Sequence, residues 1–392
     1  MKKQILMFMF GTLTNVPYVI NEGKGLARQG YTVRLLGLRY EYTQPKHEEI
    51  APGFFIHRIS LFSRWIFGEN DRFQFVRYLE VALRSFLWGL FRPVSLFVGH
   101  DLVTLPYVYP LARIRGCRIV YRAHELWSEQ SPDFPMANFW LKLDKFFSRR
   151  VDGIISPEMN RAKVYLNEYG ARELPVVVFN CPQLIERPGQ SSLRQLLSEK
   201  GVKNGFIVYY QGAIGRTRLV DKLLEAMRYT PNEISLVMVG WASDEFNNWL
   251  HAFIAENNLQ NRVINLGFVK HGPYLFELCS GADVGIVFAK DDCRNHRFMG
   301  TAANKLFEYM MLGVPILASN TTGYYDIVEG EHVGKCVDSE SPESIAKGIM
   351  ELYQNVSLRR EIQQQCLRLS KEQYNWDLVF PKLLKRYQEL MR

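Results

Sequence analysis

The sequence predicts an α/β protein with two doubly wound domains, each built on a parallel β-sheet. At 392 residues the chain is too long for one ordinary hydrophobic core. Short apolar runs alternate with amphipathic runs in both halves, which is typical of βαβ units. A stretch rich in Pro, Gly and Ser, NCPQLIERPGQSS, separates the two series and indicates a linker.

Seven apolar runs of the first half are predicted strands, and amphipathic runs between them are predicted helices. The strands are expected at residues 5–10, 32–38, 54–59, 94–98, 118–122, 153–156 and 176–179. The helices are expected at 17–29, 102–115, 139–150 and 158–169. Two lysines before the first apolar run resemble the start of a signal peptide. However, Gln4 interrupts that run and a Gly-Thr turn ends it, so we predict a buried first strand.

The second half begins a new series of strands separated by helical patterns. Its strands are expected in FIVYYQG, ISLVMVG, RVINLGFV, DVGIVFA, VPILAS and GKCV. The predicted domains are 1–182 and 205–370, with a linker at 183–204 and a C-terminal helix at 371–392 that packs back toward the first domain. Because ligands of open α/β sheets bind outside the carboxyl ends of the strands, we expect the site in a cleft between the domains.

Cysteine and charge patterns exclude several classes of protein. The six cysteines are scattered without CxxC spacing, which argues against a disulfide scaffold and a zinc site and fits a reducing compartment. No apolar run reaches about 18 residues, the length that a membrane-spanning helix needs. Nucleic acid is not an expected partner, because no recognition motif is present and the bases form no stripe.

The positive charge is concentrated in the first half. Residues 1–180 contain 24 Lys and Arg against 16 Asp and Glu, whereas residues 181–392 contain 24 of each. This half therefore either faces an anionic partner, such as a membrane surface or a phosphorylated acceptor, or carries solubilising charge.

One carboxylate stands inside an apolar helical pattern, in HRFMGTAANKLFEYMMLGVPILAS. If the helix begins near Ala302, its first amide groups are free and favour a phosphate. Glu308 points back toward that end and shares a face with Asn304, one turn earlier. A carboxylate repels a diphosphate, but it accepts hydrogen bonds from the two hydroxyls of a ribose. The spacing suits a nucleoside diphosphate along the helix, unless Glu308 is a solvated surface residue.

The motif NKLFEYMMLGVPILAS resembles the donor-site signature of the retaining, metal-independent glycosyltransferases of family 4, which have the two-domain GT-B fold. YYQGAIGRTRLVDKLLEAM, LVMVGWASDEFNNWL and RVINLGFVKHGPYLFELCSGADVGIV are similar to the family and follow its order. In the first half, LARQGYTVRLL, FVGHDLVTLP, IVYRAHELWSEQ and VVFNCP are similar to the family's first domain. The resemblance covers nearly the whole chain and implies two Rossmann-like domains that face each other across a cleft.

The resemblance implies a donor site in the second domain. Glu308 corresponds to the second glutamate of the family's Glu-x7-Glu pattern and is expected to hold the ribose of the donor. Gly300 stands where the first glutamate, which usually contacts the transferred sugar, is expected. The amides around 301–303 and the side chains that follow are expected to substitute for it. The segment expected to contact the donor comprises Thr301, Ala302, Ala303, Asn304, Lys305 and Leu306.

The loop QGAIGRTR, which contains Gly212, implies the phosphate ligands. Family members commonly place an Arg directly after that glycine and a Lys or Arg five residues further on. Here Ala213 takes the first place and Arg218 the second, so Arg218 is the expected diphosphate ligand. Arg216 either replaces the missing base or is an exposed loop charge. A guanidinium can bind phosphate oxygens in a bidentate manner, which suits stabilisation of the leaving group without a metal.

His124 in YRAHELW matches the family histidine that follows a first-domain strand and holds the transferred sugar. A buried, hydrogen-bonded structural histidine is the alternative. Glu125 beside it also follows a strand. His100 and Asp101, in GHDL, either orient the acceptor or cap the next helix, and capping is the favoured interpretation of Asp101 because Asp is a good N-cap residue.

The turn formed by Gly11 and Thr12 is expected to bring backbone close to the diphosphate and sugar. It lacks the full GxGxxG, so it does not support a dinucleotide oxidoreductase. No DxD-like pair stands at a strand end, and KDD at 290–292 is interpreted as solvated charge in a loop. We therefore expect no metal and no other cofactor.

The stretch SRWIFGENDRFQFVRYLEVALRSFLWGLFRPVSLF has a helical pattern with apolar residues on most faces and arginines at 72, 77, 84 and 92. It is consistent with an interfacial segment that seeks an anionic membrane. A helix packed against the first-domain sheet is the alternative.

These patterns and the resemblance together predict a hexosyltransferase. It is expected to move a hexose, glucose-like, from a UDP-sugar to a carbohydrate or lipid-linked acceptor in polysaccharide biosynthesis, with retention. The residues expected to be catalytic are His124, Arg218 and Glu308. The expected location is cytoplasmic, with peripheral contact to the cytoplasmic membrane face. Two alternatives stay open: a sugar-nucleotide epimerase on the same fold, and an inactive protein that binds nucleotide-sugars.

Overall fold

The computed structural model describes residues 3–13, 16–40, 43–68, 71–131, 133–189, 191–202 and 205–392. The chain divides into two compact units. Unit 1 comprises Met1–Phe179 and Val379–Arg392, and unit 2 comprises Asn180–Leu378. Residues 190, 203 and 204 of the predicted linker, and the first two residues of the predicted first domain, lie outside the described residues.

The described part of unit 1 contains an eight-stranded sheet. Its strands are β1 (Gln4–Thr12), β2 (Thr32–Leu38), β3 (His47–Ala51), β4 (Phe54–Ile59), β5 (Leu96–His100), β6 (Arg118–Arg122), β7 (Gly153–Ser156) and β8 (Val176–Val177). They lie in the order β3-β4-β2-β1-β5-β6-β7-β8. The helices are α1 (Pro17–Arg28), α2 (Phe62–Phe67), α3 (Gln74–Leu90), α4 (Leu105–Ile114), α5 (Ala137–Ser148) and α6 (Met159–Asn167).

The predicted first strand is confirmed, because β1 lies in the middle of this sheet between β2 and β5. Its residues Ile5, Leu6 and Met7 are fully buried, as expected for a parallel strand covered on both faces. The strands that follow β1 in the chain are added first on one side of it, up to β4, and then on the other side, from β5 onward. Ligands of doubly wound folds bind at such a reversal of the strand order.

The predicted parallel sheet is confirmed, with one antiparallel pair added at its edge. Strand β3 pairs with β4 in the antiparallel direction and forms the edge of the sheet. Its sequence, HEEIA, is short and mostly polar, so it carries no apolar run from which a strand could be predicted. Charged side chains are common on edge strands, where they protect against further pairing.

Unit 2 contains a six-stranded sheet, in the order β11-β10-β9-β12-β13-β14, whose described pairs are all parallel. The strands are β9 (Phe206–Gln211), β10 (Ile234–Val239), β11 (Val263–Asn265), β12 (Val284–Val287), β13 (Ile316–Ser319) and β14 (Gly334–Val337). The helices are α7 (Ser191–Glu199), α8 (Val220–Ala226), α9 (Asp244–Glu256), α10 (Pro273–Ser280), α11 (Arg294–Arg297), α12 (Asn304–Met311), α13 (Thr322–Val328), α14 (Pro342–Gln354) and α15 (Val356–Glu372).

The predicted linker contains helix α7, whose Leu193 and Leu197 are fully buried. The two leucines are four residues apart and lie on one face of the helix. Burial of that face makes α7 part of unit 2, because a flexible linker would leave both side chains in water.

The last helix, α16 (Trp376–Leu390), belongs to unit 1 from Val379 onward. Its Tyr387 donates a hydrogen bond to Glu22, which is fully buried in α1. Glu22 in turn lies 2.9 Å from the guanidinium of Arg122, at the end of β6. A buried ion pair is costly to break because it leaves a charge without its partner, so these contacts fix α16 to unit 1.

Candidate functional site

Helix α12 of unit 2 begins at Asn304, two residues later than expected. A 3-10 turn, Gly300–Ala302, precedes it. Ala303 flanks the helix without a side-chain cap. The amides of Asn304 and Lys305 therefore have no acceptor inside the helix and are directed toward any anion at this end.

The amides of residues 301–303 were predicted to contact the donor, but backbone groups of this turn already form hydrogen bonds within the protein. Ala302 and Ala303 donate their amides to carbonyl groups of the same turn, at 2.7 and 3.1 Å. The carbonyl oxygens of Thr301 and Ala302 accept hydrogen bonds from Asn180, at 3.2 and 2.9 Å. Leu306, which was expected to contact a donor, is fully buried in the core. The amides available to a ligand are thus those of the first two residues of α12.

Glu308 is buried, with 3% of its surface exposed, so the interpretation as a solvated surface residue is wrong. Gln211 donates from Nε2 to the carboxylate oxygen Oε2. His271 Nε2 lies 2.8 Å from the other oxygen, Oε1. That hydrogen bond raises the pKa of His271 against the opposing effect of its burial. Each oxygen of Glu308 has one hydrogen-bond partner here and can accept a second.

Sequence reasoning missed both partners of Glu308. Gln211 is the last residue of β9, so the rule that sites lie at the carboxyl ends of strands could have indicated it. His271 lies in the loop before α10, in VKHGPY, where no local pattern distinguishes it.

Lys305 lies next to the glycine of the predicted phosphate loop. Its Nζ is 3.7 Å from the point where a Cβ on Gly212 would lie, and 4.4 Å from the ring centroid of Tyr210. Burial, helped by the charge of Arg218, lowers the pKa of Lys305 to about 7. A bound anion would favour the charged form of this amine.

Arg218 is half-buried in the 3-10 turn Arg216–Arg218, and its Nη1 lies 3.6 Å from the sulfur of Met299. Among the described residues it forms no ion pair with a carboxylate. Arg216 differs: it is exposed, lies 3.6 Å from Asp221 and packs over the ring of Trp249. Of the two arginines, only Arg218 interacts electrostatically with Lys305.

Gly300 adopts φ +30°, and a Cβ there would lie 2.4 Å from the carbonyl oxygen of Gly323. The two glycines pack backbone against backbone. A side chain therefore does not fit at the position where the resemblance led us to look for a glutamate.

We expect Gly300→Ala to lower the free energy of unfolding by about 1–3 kcal/mol, because it combines an unfavourable backbone conformation with a steric clash. Gly300→Glu is expected to cost at least as much. Urea unfolding of the variants checks this. The matched control is Gly215→Ala, since Gly215 has extended backbone and no described atom lies within 4 Å of the position of its Cβ. Equal urea midpoints for both alanine variants would contradict the expectation.

In unit 1, His100 ends β5 and His124 follows β6, and the two imidazoles meet. Nδ1 of His100 lies 2.9 Å from Nε2 of His124. Both rings are buried, and burial, with the charge of Arg122, lowers both pKa values well below the ordinary value. His124 also contacts Tyr18, a residue that the sequence did not indicate, at 4.4 Å between ring centroids. These contacts fit the alternative that His124 is a buried, hydrogen-bonded structural histidine. However, Nδ1 of His124 has no hydrogen-bond partner among the described residues.

The interpretation of Asp101 as a side-chain N-cap is wrong. Its carboxylate does not cap the following turn but accepts a hydrogen bond from the amide of His124, at 3.2 Å. Asp101 holds φ at +62°, a strained conformation for a residue with a side chain. Burial, and then the nearby Glu125, raise its pKa well above the ordinary value. Glu125 itself accepts a hydrogen bond from Gln130.

Gly11 and Thr12 belong to β1 and not to the turn after it, since Thr12 still pairs with Leu38 of β2. Among the described residues, no atom lies within 4 Å of the position of a Cβ on Gly11. The approach of this backbone to a diphosphate and a sugar stays a prediction.

In the described part of the chain, one cluster brings together three side chains of the types that bind metal ions. Asp292, Cys293 and His296 have ligand atoms within 4.8 Å of one another. Asp292 and His296 already contact each other at 2.8 Å, and Asp291 pairs with Arg297. Both carboxylates of the KDD loop are therefore already paired with basic side chains of α11.

Two family models match the chain, one in each half. The model described as Glycosyltransferase Family 4 matches residues 16–182, and the model described as Glycosyl transferases group 1 matches residues 195–367. The chain is a GT-B glycosyltransferase of family 4. The second match contains Gln211, Arg218, His271, Lys305 and Glu308, so the cluster around α12 lies within the matched region.

Solved structures are similar to this glycosyltransferase over its whole length. Sucrose-phosphate synthase from Thermosynechococcus elongatus has a TM-score of 0.82 at 17% identity and covers 99% of each chain. HepE of Anabaena, in complex with UDP and glucose, has a TM-score of 0.77 at 15% identity and covers 99% of this chain and 100% of that one. These likenesses establish the GT-B fold.

Among curated proteins, the spore coat protein SA of Bacillus subtilis is 25% identical over 211 residues, which are 51% of the glycosyltransferase and 53% of that protein. The chain spans about half the length of the curated relatives it matches.

Proposed function

We propose that this protein transfers a hexose, glucose-like, from a UDP-sugar to a carbohydrate or lipid-linked acceptor in polysaccharide biosynthesis. The observation that carries the proposal is the buried carboxylate of Glu308. It is oriented by Gln211 and His271, keeps one acceptor site on each oxygen, and lies one helical turn from open amides. A ribose diol fits the oxygens, and the attached diphosphate fits the amides.

The diphosphate would be held by Arg218, Lys305 and the first amides of α12. These groups supply positive charge where the leaving group develops negative charge. A divalent ion is not needed in this arrangement, so we propose metal-independent transfer. Retention, by departure of UDP from the face that the acceptor attacks, is proposed from the family resemblance alone.

UDP is proposed over GDP because HepE, which shares the fold, is solved with UDP and with UDP-glucose. A lipid-linked acceptor at the cytoplasmic face of a membrane is included because the excess positive charge lies in the first half. Among the described residues, no helix is long and apolar enough to cross a membrane.

The test is a donor screen in which UDP or GDP release is measured from a panel of nucleotide-sugars, with and without EDTA. We expect slow UDP release from a UDP-hexose, unchanged by EDTA, and an acceptor that accelerates it to a product of retained anomeric configuration by NMR. Release from GDP-sugars only, or complete loss with EDTA, would refute the proposal. Conversion of the donor to another UDP-sugar without acceptor would identify the epimerase instead, and UDP binding without turnover would identify the inactive protein.

A further inference from the structure

Helix α3 has one buried face and, opposite to it, an apolar face that is exposed. Val81, Ser85 and Gly89 lie on the buried face. A Cβ on Gly89 would lie 2.6 Å from Leu111, so this face packs closely on unit 1. The opposite face carries a stripe of leucines and phenylalanine at every fourth position, each between 47% and 69% exposed. The stripe consists of Phe75, Leu79, Leu83 and Leu87.

Helix α2 extends the same apolar surface and is held in place by α3. Its Trp65 is 80% exposed, and Phe62 and Ile66 are exposed to a similar degree. Glu80 of α3 accepts hydrogen bonds from the amides of Phe62 and Ser63, both at 2.8 Å. These bonds satisfy the first amides of α2. The exposed side chains therefore form one fixed surface, and apolar patches of this extent on a protein surface mark an interaction site.

A basic cavity adjoins this surface at the carboxyl ends of β2 and β4. It has a volume of about 620 Å³, and no carboxylate is among its described lining residues. Arg58 and Arg84 in its wall are paired with glutamates, whereas Lys46 has no ion pair among the described residues. The lining residues that matter here are Arg39, Lys46, Arg58, Arg84, Phe62 and Trp65.

The combination of an apolar stripe with adjacent bases favours a lipid bilayer as the partner. In a bilayer, acyl chains and anionic phosphates lie at successive depths, and helices with Trp, Phe and Leu on one side and Arg nearby bind there. A second copy of the chain fits less well, because a symmetric contact places the same patch on both partners and brings arginine against arginine.

We propose that α2 and α3 dock unit 1 on an anionic membrane, with their exposed apolar side chains in the interfacial layer and lipid phosphates in the basic cavity. Docking would place the carboxyl ends of β2 and β4 at the membrane surface. The inference rests on the proposed function only in expecting a lipid-linked acceptor there.

The test is flotation of the full chain with vesicles of phosphatidylcholine alone or mixed with phosphatidylglycerol. Wild type is expected to float with the anionic vesicles and less with the neutral ones. The triple variant Trp65→Ser, Leu79→Ser, Leu83→Ser is expected to partition at least about tenfold less to the vesicles. Each apolar side chain that it lacks would stabilise binding by moving from water into the interfacial layer. Arg39→Gln with Lys46→Gln is expected to remove the preference for anionic vesicles.

The matched control replaces equally exposed side chains of unit 2, with Trp241→Ser, Phe268→Ser and Leu378→Ser, and is expected to float like wild type. The proposal is overturned if wild type stays with the unbound fraction, if the α2–α3 variant floats as well as wild type, or if the control loses as much. A dimer of wild type that dissociates in the α2–α3 variant would assign the surface to a second copy. UDP affinity, measured on each variant, is expected to be unchanged, so that failure of docking and failure of the donor site are distinguished.

Discussion

Arg218→Ala is expected to lower kcat for hexose transfer by roughly 10²–10³-fold, the usual cost of losing one preorganised donor to a developing negative charge. The guanidinium has no carboxylate partner among the described residues, so its charge is available to a ligand. It also lies close enough to Lys305 to lower the pKa of that amine. Removing it takes positive charge from the place where the departing diphosphate would lie, and steady-state kinetics with the active donor measures the loss.

Arg216→Ala is the matched control for this prediction. Arg216 stands two residues away on the same turn, but it is exposed, contacts Asp221 and packs over Trp249. Its loss is expected to change kcat by less than about tenfold, as for other exposed charges. Equal effects of the two substitutions, or an Arg218→Ala enzyme as fast as wild type, would contradict the assignment of the diphosphate to Arg218.

Glu308→Gln is expected to weaken UDP binding by roughly 10- to 100-fold, since a hydrogen bond to a charged group contributes about 1.5–3 kcal/mol. The substitution preserves the shape of the side chain but replaces one acceptor oxygen by a donor. Gln211 or His271 then faces an amide N–H group in place of a carboxylate oxygen, which is expected to destabilise the fold as well. A thermal melt of the variant therefore accompanies the calorimetric titration with UDP. Transfer activity is expected to fall at least as far as the affinity.

A ligand series separates the ribose contact from the phosphate contact. Wild type is expected to bind 2′,3′-dideoxy-UDP more weakly than UDP, whereas Glu308→Gln is expected to bind both alike, as in a double-mutant cycle. Pyrophosphate affinity is not expected to fall in Glu308→Gln, because the carboxylate repels a diphosphate, whereas it is expected to fall in Arg218→Ala. If Glu308→Gln weakens pyrophosphate and UDP equally, Glu308 does not hold the ribose.

The sequence predicts most of the fold because its central strands are continuous apolar runs. Strands 32–38, 54–59, 118–122 and 153–156 were predicted with the bounds that the structure has. The edge strand β3 and helix α7 were not predicted. HEEIA has too few apolar residues for a local pattern, and pairing with β4 decides its structure. The leucines of SSLRQLLSE have helical spacing, but the Pro, Gly and Ser residues around them favoured a linker.

The candidate site was predictable only as far as local spacing reaches. Helical periodicity placed Glu308 one turn from Asn304, and the structure keeps that relation. His271 and Tyr18 were missed because each joins its cluster through a contact far away in sequence. The role of Asp101 was misjudged for another reason: its strained backbone turns the carboxylate toward His124, and propensity rules assume an unstrained residue.

The most direct measurement is a crystal structure of the full chain with UDP. We expect both ribose hydroxyls at roughly 2.6–3.2 Å from the carboxylate oxygens of Glu308, with Gln211 and His271 still bonded to that carboxylate. We also expect the diphosphate beside Arg218, Lys305 and the first amides of α12. A nucleotide bound elsewhere, or one whose ribose does not touch Glu308, would contradict the assignment of the ribose to Glu308.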